Sequence, residues 1–472
     1  MRNHFEGQPP LEDPHRPQYH FLPPANWMND PNGLIQWKNQ FHLFYQYNPY
    51  GAFHGSIHWG HAVSTDLVHW RHLPVALVPT PDGPDKDGCW SGCAIDHNGI
   101  PTIFYTGVSP QVQCTATSSD DLLTWQKRLQ PVIAAPPPDI REHAGGDLRD
   151  PFVWRQDGLW YMLLTSKIEG GGGLVLLYRS ADTINWEYLH PLISGDVNQR
   201  DPFWTGTIWE CPNLIDFGDK QVILVSLQGT PNTFLYVCYF TGEFRQESFT
   251  THSRHILVPT SIFYAPQVMR LDDGRVILFS WILEDRTARS ALQAGWSGMM
   301  SLPLECSLLV SGKLGLAPVR ELQSLRKNHS RFVNLQPNGS FLPLQGQALE
   351  ILARFEPAPG SAFGLKVRCS PDGQEQTLII CRDNQVIIDS ERSSLNADVN
   401  RRITTLPVEI EDRINLHIFL DHSILEVFVN DQSYLVSRIY PSRPDSLGIG
   451  VFAEGSVNIP QLDVWVLESI WG

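Results

Sequence analysis

Short apolar runs separated by polar turns make up most of the chain after residue 15. Five of these runs are alike and predict strands of one kind: 41–47 (FHLFYQY), 101–107 (PTIFYTG), 160–166 (WYMLLTS), 221–227 (QVILVSL) and 275–281 (RVILFSW). They are rich in β-branched and aromatic residues and lack the 3.6-residue period of a helix. The pattern therefore predicts five similar β-units in the first two thirds of the chain.

A polar tag, Ser-x-Asp-x-x-x-Trp, supports this repeat. It occurs at 64–70, 119–125 and 180–186, so its starting residues lie 55 (64 to 119) and 61 (119 to 180) positions apart. Units of that size built from short strands are typical of four-stranded propeller blades. We therefore predict a five-bladed β-propeller at 15–315. Two consecutive β-sandwiches are the alternative, but they leave the recurring tag unexplained.

Beyond residue 315 the strands alternate apolar and polar positions, which indicates a two-sheet sandwich at 325–472. Segment 329–340 (HSRFVNLQPNGS) is interpreted as the linker. No long helix is predicted. The fold class is thus all-β, a five-bladed β-propeller followed by a C-terminal β-sandwich.

Composition narrows the choice of partners. The 472 residues carry a net charge of −15 and contain no basic run, which disfavours nucleic acid and anionic membranes. The N-terminus shows no apolar leader core, and no apolar run approaches the ~20 residues of a membrane span, so we expect a cytoplasmic protein. The eight cysteines form no C-x-x-C pair and are interpreted as reduced core thiols. We expect neither a metal nor a cofactor.

Three carboxylates stand in unusual local sequences, one in each of three predicted blades: Asp30 (WMNDPNG), Asp150 (GGDLRDP) and Glu210 (TIWECPNL). Taken alone, Asp30 reads as a turn residue and Asp150 as half of an ion pair with Arg149. Taken together they suit glycosidic bond cleavage, which needs one ionised carboxylate and one that holds a proton. We expect Arg149 to keep Asp150 charged, and the neighbours Trp209 and Cys211 to make Glu210 the proton donor.

A larger set of motifs occurs in order along the chain: RPQYHFLPPANWMNDPNG, FYQYNP, WGHAVSTDLVHW, DKDGCWSG, RDP, WECP, YAPQ, GWSGMMSLP and LDHSILEVFVND. From about residue 15 to 472, the sequence closely resembles glycoside hydrolase family 32, whose members are invertases, sucrose-6-phosphate hydrolases and fructan hydrolases. The resemblance implies a retaining β-fructofuranosidase. Asp30 would be the nucleophile, Glu210 the acid and base, and Asp150 the transition-state stabiliser. It also implies substrate contacts from Trp27, Asn29, Gln46, His54, Trp90, Ser91, Arg149, Tyr264 and Trp296.

Three positions depart from the family pattern. His54 stands where a tryptophan is usual, Asn213 replaces the acid of Cys-Pro-Asp, and Ile262 stands where an acidic residue is common. A polar ring at His54 would change stacking in the sugar pocket, and Asn213 removes a negative neighbour of Glu210. None of the three belongs to the catalytic trio, so we expect activity.

The expected substrate is a small sugar, with sucrose hydrolysis to glucose and fructose as the first interpretation. Sucrose-6-phosphate hydrolysis and small-fructan hydrolysis or fructosyl transfer are the alternatives within the enzyme class. A non-catalytic sugar-binding module should have lost Asp30 or Glu210, and a metal-dependent arabinan-cleaving propeller is disfavoured by RDP and WECP. The oligomeric state stays open.

Overall fold

The structure, a computed structural model, describes residues 13–140 and 146–471. The prediction that the N-terminus lacks a leader concerns residues 1–12, which lie outside this range. The strands of the described residues form seven sheets. In the same range, no helix is long and apolar enough to cross a membrane.

The first five sheets are propeller blades, numbered I to V along the chain. Blade I contains β1 (Asn26–Trp37), β2 (Gln40–Asn48), β3 (His58–Ser64) and β4 (Trp70–Leu77). Blade II contains β5 (Cys89–His97), β6 (Ile100–Gly107), β7 (Val112–Thr117) and β8 (Gln126–Lys127). Blade III contains β9 (Arg149–Gln156), β10 (Leu159–Ile168), β11 (Gly172–Ser180) and β12 (Glu187–Ser194).

Blade IV contains β13 (Ile208–Asp216), β14 (Gln221–Gln228), β15 (Phe234–Arg245) and β16 (Ser248–Val258). Blade V contains β17 (Phe263–Arg270), β18 (Val276–Ile282), β20 (Met299–Met300), β21 (Leu304–Leu308) and β22 (Leu314–Pro318). The first strands of the blades contact one another in the cyclic order β1, β5, β9, β13, β17 and back to β1. They therefore surround the central axis, and the predicted five-bladed propeller is confirmed.

The five similar apolar runs are the second strands of the five blades. The polar tag is the turn between the third and fourth strands of blades I to III. In blade I, Ser64 donates to Asp66 at 3.0 Å, Asp66 accepts the amides of Val68 and His69, and the Trp70 indole donates to the Leu67 carbonyl. Blade III repeats the pattern. In blade II the bonded pair lies one residue earlier than the tag predicts, at Ser118 and Asp120.

The ring is closed by a short strand, β19 (Trp296–Ser297), which pairs in parallel with the start of β1. It follows helix α1 (Ala288–Ala294), which is capped by Thr287 and by Gly295 at φ 77°. Because β19 comes from the end of the propeller and β1 from its beginning, their pairing joins the two ends of the ring.

The last two sheets form the predicted sandwich, with six strands each. One contains β23 (Arg326–Leu335), β25 (Ala348–Pro357), β30 (Ile414–Asp421), β31 (Ile424–Val429), β32 (Ser433–Arg438) and β34 (Val457–Leu467). The other contains β24 (Asn338–Gln345), β26 (Ala362–Cys369), β27 (Thr377–Arg382), β28 (Gln385–Asp389), β29 (Ile403–Pro407) and β33 (Gly448–Glu454).

The prediction that 329–340 is a linker was wrong. That segment lies in β23 and the start of β24, which are edge strands of the two sheets. Most residues of β23 are exposed or half-buried, so the apolar alternation that marks the other strands is missing there. The connection between the two domains is a 3₁₀ helix at Arg320–Leu325, held by the buried Leu322 and Leu325.

Candidate active site

A cavity of about 460 Å³ lies at the propeller axis, with a residue of every first strand in its wall. The lining residues are Trp27, Asn29, Asp30, Gln46, His54, Trp90, Ser91, Arg149, Asp150, Glu210, Gln228, Asn232, Phe234, Tyr264 and Trp281. This set includes the three predicted carboxylates and every predicted substrate contact except Trp296. Volume and lining are typical of a small-molecule site.

A β-bulge in each first strand brings these side chains to the axis. In all five blades, a segment of four residues in the first strand lies opposite only three residues of the second. These bulge segments are Met28–Pro31, Cys89–Gly92, Arg149–Phe152, Glu210–Asn213 and Tyr264–Gln267. A bulge adds one residue and redirects the side chains beside it. The backbone turns to positive φ at Asp150, Cys211 and Ala265, the residue before proline in blades III to V. Asp30 therefore lies in a bulge within β1, and the predicted turn at this position was wrong.

Asp30 is surrounded by hydrogen-bond donors. Ser91 donates to its Oδ2 at 2.5 Å, Gln46 to the same oxygen at 3.3 Å, and Asn29 to Oδ1 at 3.2 Å. Burial raises the pKa of Asp30 to about 6, the Ser91 hydrogen bond opposes that rise, and the charge of Glu210 adds to it. Asp30 is therefore a fixed carboxylate that is largely ionised at neutral pH.

Asp150 is buried and is held by the backbone N–H of Cys211, which donates to Oδ2 at 2.9 Å. Arg149 does not make a close pair with it, because Nε is 3.9 Å from that oxygen. Burial raises the pKa of Asp150, Arg149 counteracts this, and the charge of Glu210 raises it further. Arg149 thus acts in the expected direction but from a longer distance, and its role in keeping Asp150 ionised stays a prediction.

The guanidinium of Arg149 binds Glu210 instead of Asp150. Arg149 donates from Nε to Oε1 at 3.2 Å, while Gln228 and Tyr264 donate to Oε2 at 2.5 and 2.7 Å. Its sequence neighbour Trp209 is buried in the core between blades III and IV. The apolar surroundings expected from the sequence are therefore absent, and polar donors hold this carboxylate.

Trp296 lies outside the cavity. It is fully buried, its indole N–H donates to Asp13 Oδ2 at 2.7 Å, and the guanidinium of Arg286 covers its ring at 4.7 Å. Trp281 of β18 lines the cavity and meets Trp27 edge-on, with ring centroids 5.8 Å apart. The motif around Trp296 thus closes the ring through β19 and does not supply a pocket side chain.

Sequence reasoning missed Gln228, Asn232, Phe234 and Trp281. The first three belong to the β14–β15 hairpin of blade IV, and Trp281 lies on a second strand. Their local sequences look like ordinary strand ends and turns. The available signal was positional, because Gln228 and Trp281 lie near the ends of second strands that pair with first strands, and Asn232 and Phe234 follow Gln228 in the same hairpin.

The three residues that depart from the family pattern lie in different environments. His54 is exposed at the cavity rim and meets Trp27 edge-on at 6.0 Å, whereas Ile262 is core. Asn213 is buried and donates to the carbonyls of Cys211 and Pro266, at 3.1 and 2.8 Å. An aspartate could not donate either bond. Asn213 thus ties the bulges of blades IV and V together.

The thiol of Cys211 is half-buried and lies 3.5 Å from Asp30 Oδ2, whereas the other seven cysteines are buried. All eight are free thiols, but Cys211 belongs to the site and departs from the predicted core set. Within the described residues, no group of three or more His, Cys, Asp or Glu side chains could hold a metal ion.

Comparison with known proteins agrees with the motifs. The profile of the glycosyl hydrolases family 32 N-terminal domain matches residues 20–318, and that of the family 32 C-terminal domain matches 321–466. The chain is 36% identical to the sucrose-6-phosphate hydrolase of Zymomonas mobilis subsp. mobilis, over 96% of this chain and 92% of that protein.

Two solved structures share the whole fold. A fructan 1-exohydrolase IIa from Cichorium intybus in complex with 1-kestose aligns with a TM-score of 0.87 and 29% identity, over 97% of this chain and 98% of that one. The sucrose-6-phosphate hydrolase from Lactobacillus gasseri aligns with a TM-score of 0.85 and 25% identity, over 98% and 95%. Since the family profiles cover both domains, the chain belongs to glycoside hydrolase family 32 and is a glycoside hydrolase.

Proposed function

We propose that the protein is a retaining β-fructofuranosidase that cleaves the fructosyl bond of sucrose 6-phosphate or sucrose. The observation that carries the proposal is the convergence of Asp30, Asp150 and Glu210 on one cavity. The three carboxylates have different hydrogen-bond partners. Two-step glycoside cleavage requires such differences, because its carboxyl groups play different roles.

In the first step Asp30 attacks the anomeric carbon of the fructosyl unit, while Glu210 gives a proton to the departing glycosidic oxygen. The bond from carbon to that oxygen breaks as the bond from carbon to the Asp30 carboxylate forms. In the second step Glu210 takes a proton from water, whose oxygen displaces Asp30 and restores both carboxyl groups. Two inversions give net retention. Asp150, buried beside the anomeric centre, would bind ring hydroxyls and favour the cationic transition state.

Sucrose 6-phosphate is the first candidate substrate, because the similar proteins in Zymomonas mobilis and Lactobacillus gasseri carry that name. This replaces the order expected from the sequence, in which sucrose came first. Sucrose stays the second candidate for a structural reason: among the described residues that line the cavity, the only Lys or Arg is Arg149, and its guanidinium is engaged by Asp147 and Glu210. A cytoplasmic location stays a prediction.

The test is parallel release of hexose from sucrose 6-phosphate, sucrose and 1-kestose, with Asp30→Asn as the control. We expect kcat/KM on the phosphate to exceed that on sucrose at least tenfold, and loss of all activity in the variant. A preference for sucrose would establish the second candidate. NMR of the first fructose released should show the β-anomer, and initial release of the α-anomer would exclude retention. No release from any substrate would overturn the proposal.

A further inference from the structure

Gln228 is the last residue of β14 and is buried against Glu210. Its Nε2 donates to Glu210 Oε2 at 2.5 Å, and its Oε1 accepts the backbone N–H of Asn232 at 3.0 Å. A carboxamide has one accepting oxygen and one donating nitrogen. Because Asn232 engages the oxygen, only the nitrogen is free to face the carboxylate.

The β14–β15 hairpin fixes this orientation. Gly229 donates to the Thr233 carbonyl and Thr233 to the Thr230 carbonyl, both at 2.9 Å, so the turn is closed by its own backbone. Asn232 has a φ of 63°, a left-handed conformation that asparagine tolerates well. Turning the Gln228 amide over would set its oxygen against Glu210 and its nitrogen against a backbone N–H. Both contacts would be repulsive.

The remaining groups that face Glu210 come from five other positions. Arg149 and Tyr264 donate to it, and the titratable groups of Asp30, Asp150 and Cys211 interact with it electrostatically. When Glu210 is protonated, its O–H needs a hydrogen-bond acceptor, or one of the groups that donate to that oxygen must move away. The Tyr264 hydroxyl can reverse and accept, but the locked Gln228 amide cannot.

From this geometry we propose that Gln228 is a positioning residue that favours the ionised form of Glu210 and sets the upper pH at which Glu210 can serve as an acid. The inference rests on the proposed function for its catalytic meaning. A donor to a charged group stabilises that charge more than a donor to a neutral one. Gln228 therefore assists the step in which Glu210 is a base and opposes the step in which it is an acid.

The test is Gln228→Leu, which has similar size and no donor. We expect the alkaline limb of the kcat/KM profile to move upward by about one pH unit. Asn232→Gly retains the backbone N–H and the positive φ but removes a cavity side chain, so it should change KM and leave the limb in place. The matched control is Gln221→Leu, on the same strand but bonded to Asp216 in the outer turn, which should leave the limb unmoved.

A second readout does not need activity. The side-chain carboxyl ¹³C resonance of Glu210, assigned by its loss in Glu210→Gln, should titrate at higher pH in Gln228→Leu than in the wild type. A slower Gln228→Leu enzyme with an unmoved limb and unmoved resonance would overturn the proposal and leave only a packing role. If the wild type released no hexose while the resonance moved as expected, the proposed function would fail and the positioning role would stand.

Discussion

Arg149 donates from Nε to Glu210 Oε1 at 3.2 Å, and its Nη2 lies 3.1 Å from the same oxygen, although Asp150 is the next residue in its own chain. Arg149 and Glu210 are the first residues of the bulge segments in the neighbouring blades III and IV, so their side chains meet near the axis. Asp150 occupies the second position of its bulge, which corresponds to Cys211 in blade IV. The bulge register thus decides which carboxylate the guanidinium binds.

Arg149→Lys should lower kcat/KM by at least about 100-fold, because a single ammonium group cannot reproduce the bonds to Glu210 and Asp147. The assay is sugar release at the pH optimum, with far-UV circular dichroism as a check on folding. Arg155→Lys is the matched control, since Arg155 lies on the same strand with its guanidinium over Trp160, remote from the cavity. Equal activity in the two variants would contradict the assigned contact.

Ser91→Ala should move the acidic limb of the kcat/KM profile upward by about one pH unit. Burial raises the pKa of Asp30, and the Ser91 hydroxyl is the strongest group that opposes the rise. Without it the pKa rises further above 6, so Asp30, the proposed nucleophile, ionises only at higher pH. Ser390→Ala, a buried serine in the sandwich that donates to the Arg402 carbonyl, should leave the limb where it is. A downward shift in Ser91→Ala would contradict this prediction.

Asn213→Asp should destabilise the protein by roughly 2–3 kcal/mol and slow turnover. The change replaces an amide that donates to two buried carbonyls with a carboxylate that repels both. Urea unfolding measures the first effect and kcat the second. Asn396→Asp is the control, because exposed Asn396 only accepts, from the Asp398 amide, and aspartate retains that acceptor. An unchanged unfolding midpoint in Asn213→Asp would show that the two donor bonds contribute nothing.

His20 links the segment before β1 to the sandwich. Its Nδ1 lies 2.8 Å from Asp421 Oδ2, and its Nε2 lies 3.5 Å from Glu426 Oε1. Burial lowers the pKa of His20, but the hydrogen bond to Asp421 and the nearby charges of Glu426 and Asp421 outweigh this effect and raise the pKa to about 9. The stabilisation is therefore complete below pH 6.5 and is lost as pH rises through about 9.

The free energy of unfolding should accordingly fall by about 3 kcal/mol between pH 6.5 and 9.5 in the wild type. This loss should be largely absent in His20→Gln. Urea unfolding at the two pH values measures the difference. His69→Gln, at a surface histidine paired with Asp66, should retain the wild-type dependence. A His20→Gln protein with the full loss would show that this histidine is not the titrating link.

Much of the fold could be predicted from the sequence because each blade repeats a local pattern. The five second strands are continuous apolar runs since both of their faces are buried. The tag recurs because the same turn uses a Ser and an Asp two residues apart, followed by a Trp. The edge strand β23 was missed for the opposite reason, since exposure removes the apolar alternation that identifies a strand.

The residues of the candidate site could be predicted from the sequence less completely than the fold. Asp30, Asp150 and Glu210 were recognised by their unusual neighbours and family motifs, yet they occupy the third, second and first positions of their bulges. No sequence spacing reveals that offset. Gln228 and Trp281 face the cavity only because second strands end beside the bulges, and Trp296 is remote from it because β19 is needed to close the ring.

The sequence by itself determined the all-β class, the five-fold repeat and the identity of the three carboxylates, because these depend on patterns within a few residues. Only the tertiary structure decided which donors each carboxylate receives. A hydrogen bond between blades depends on the register of two strands far apart in the chain, and a one-residue bulge changes that register without changing the local pattern.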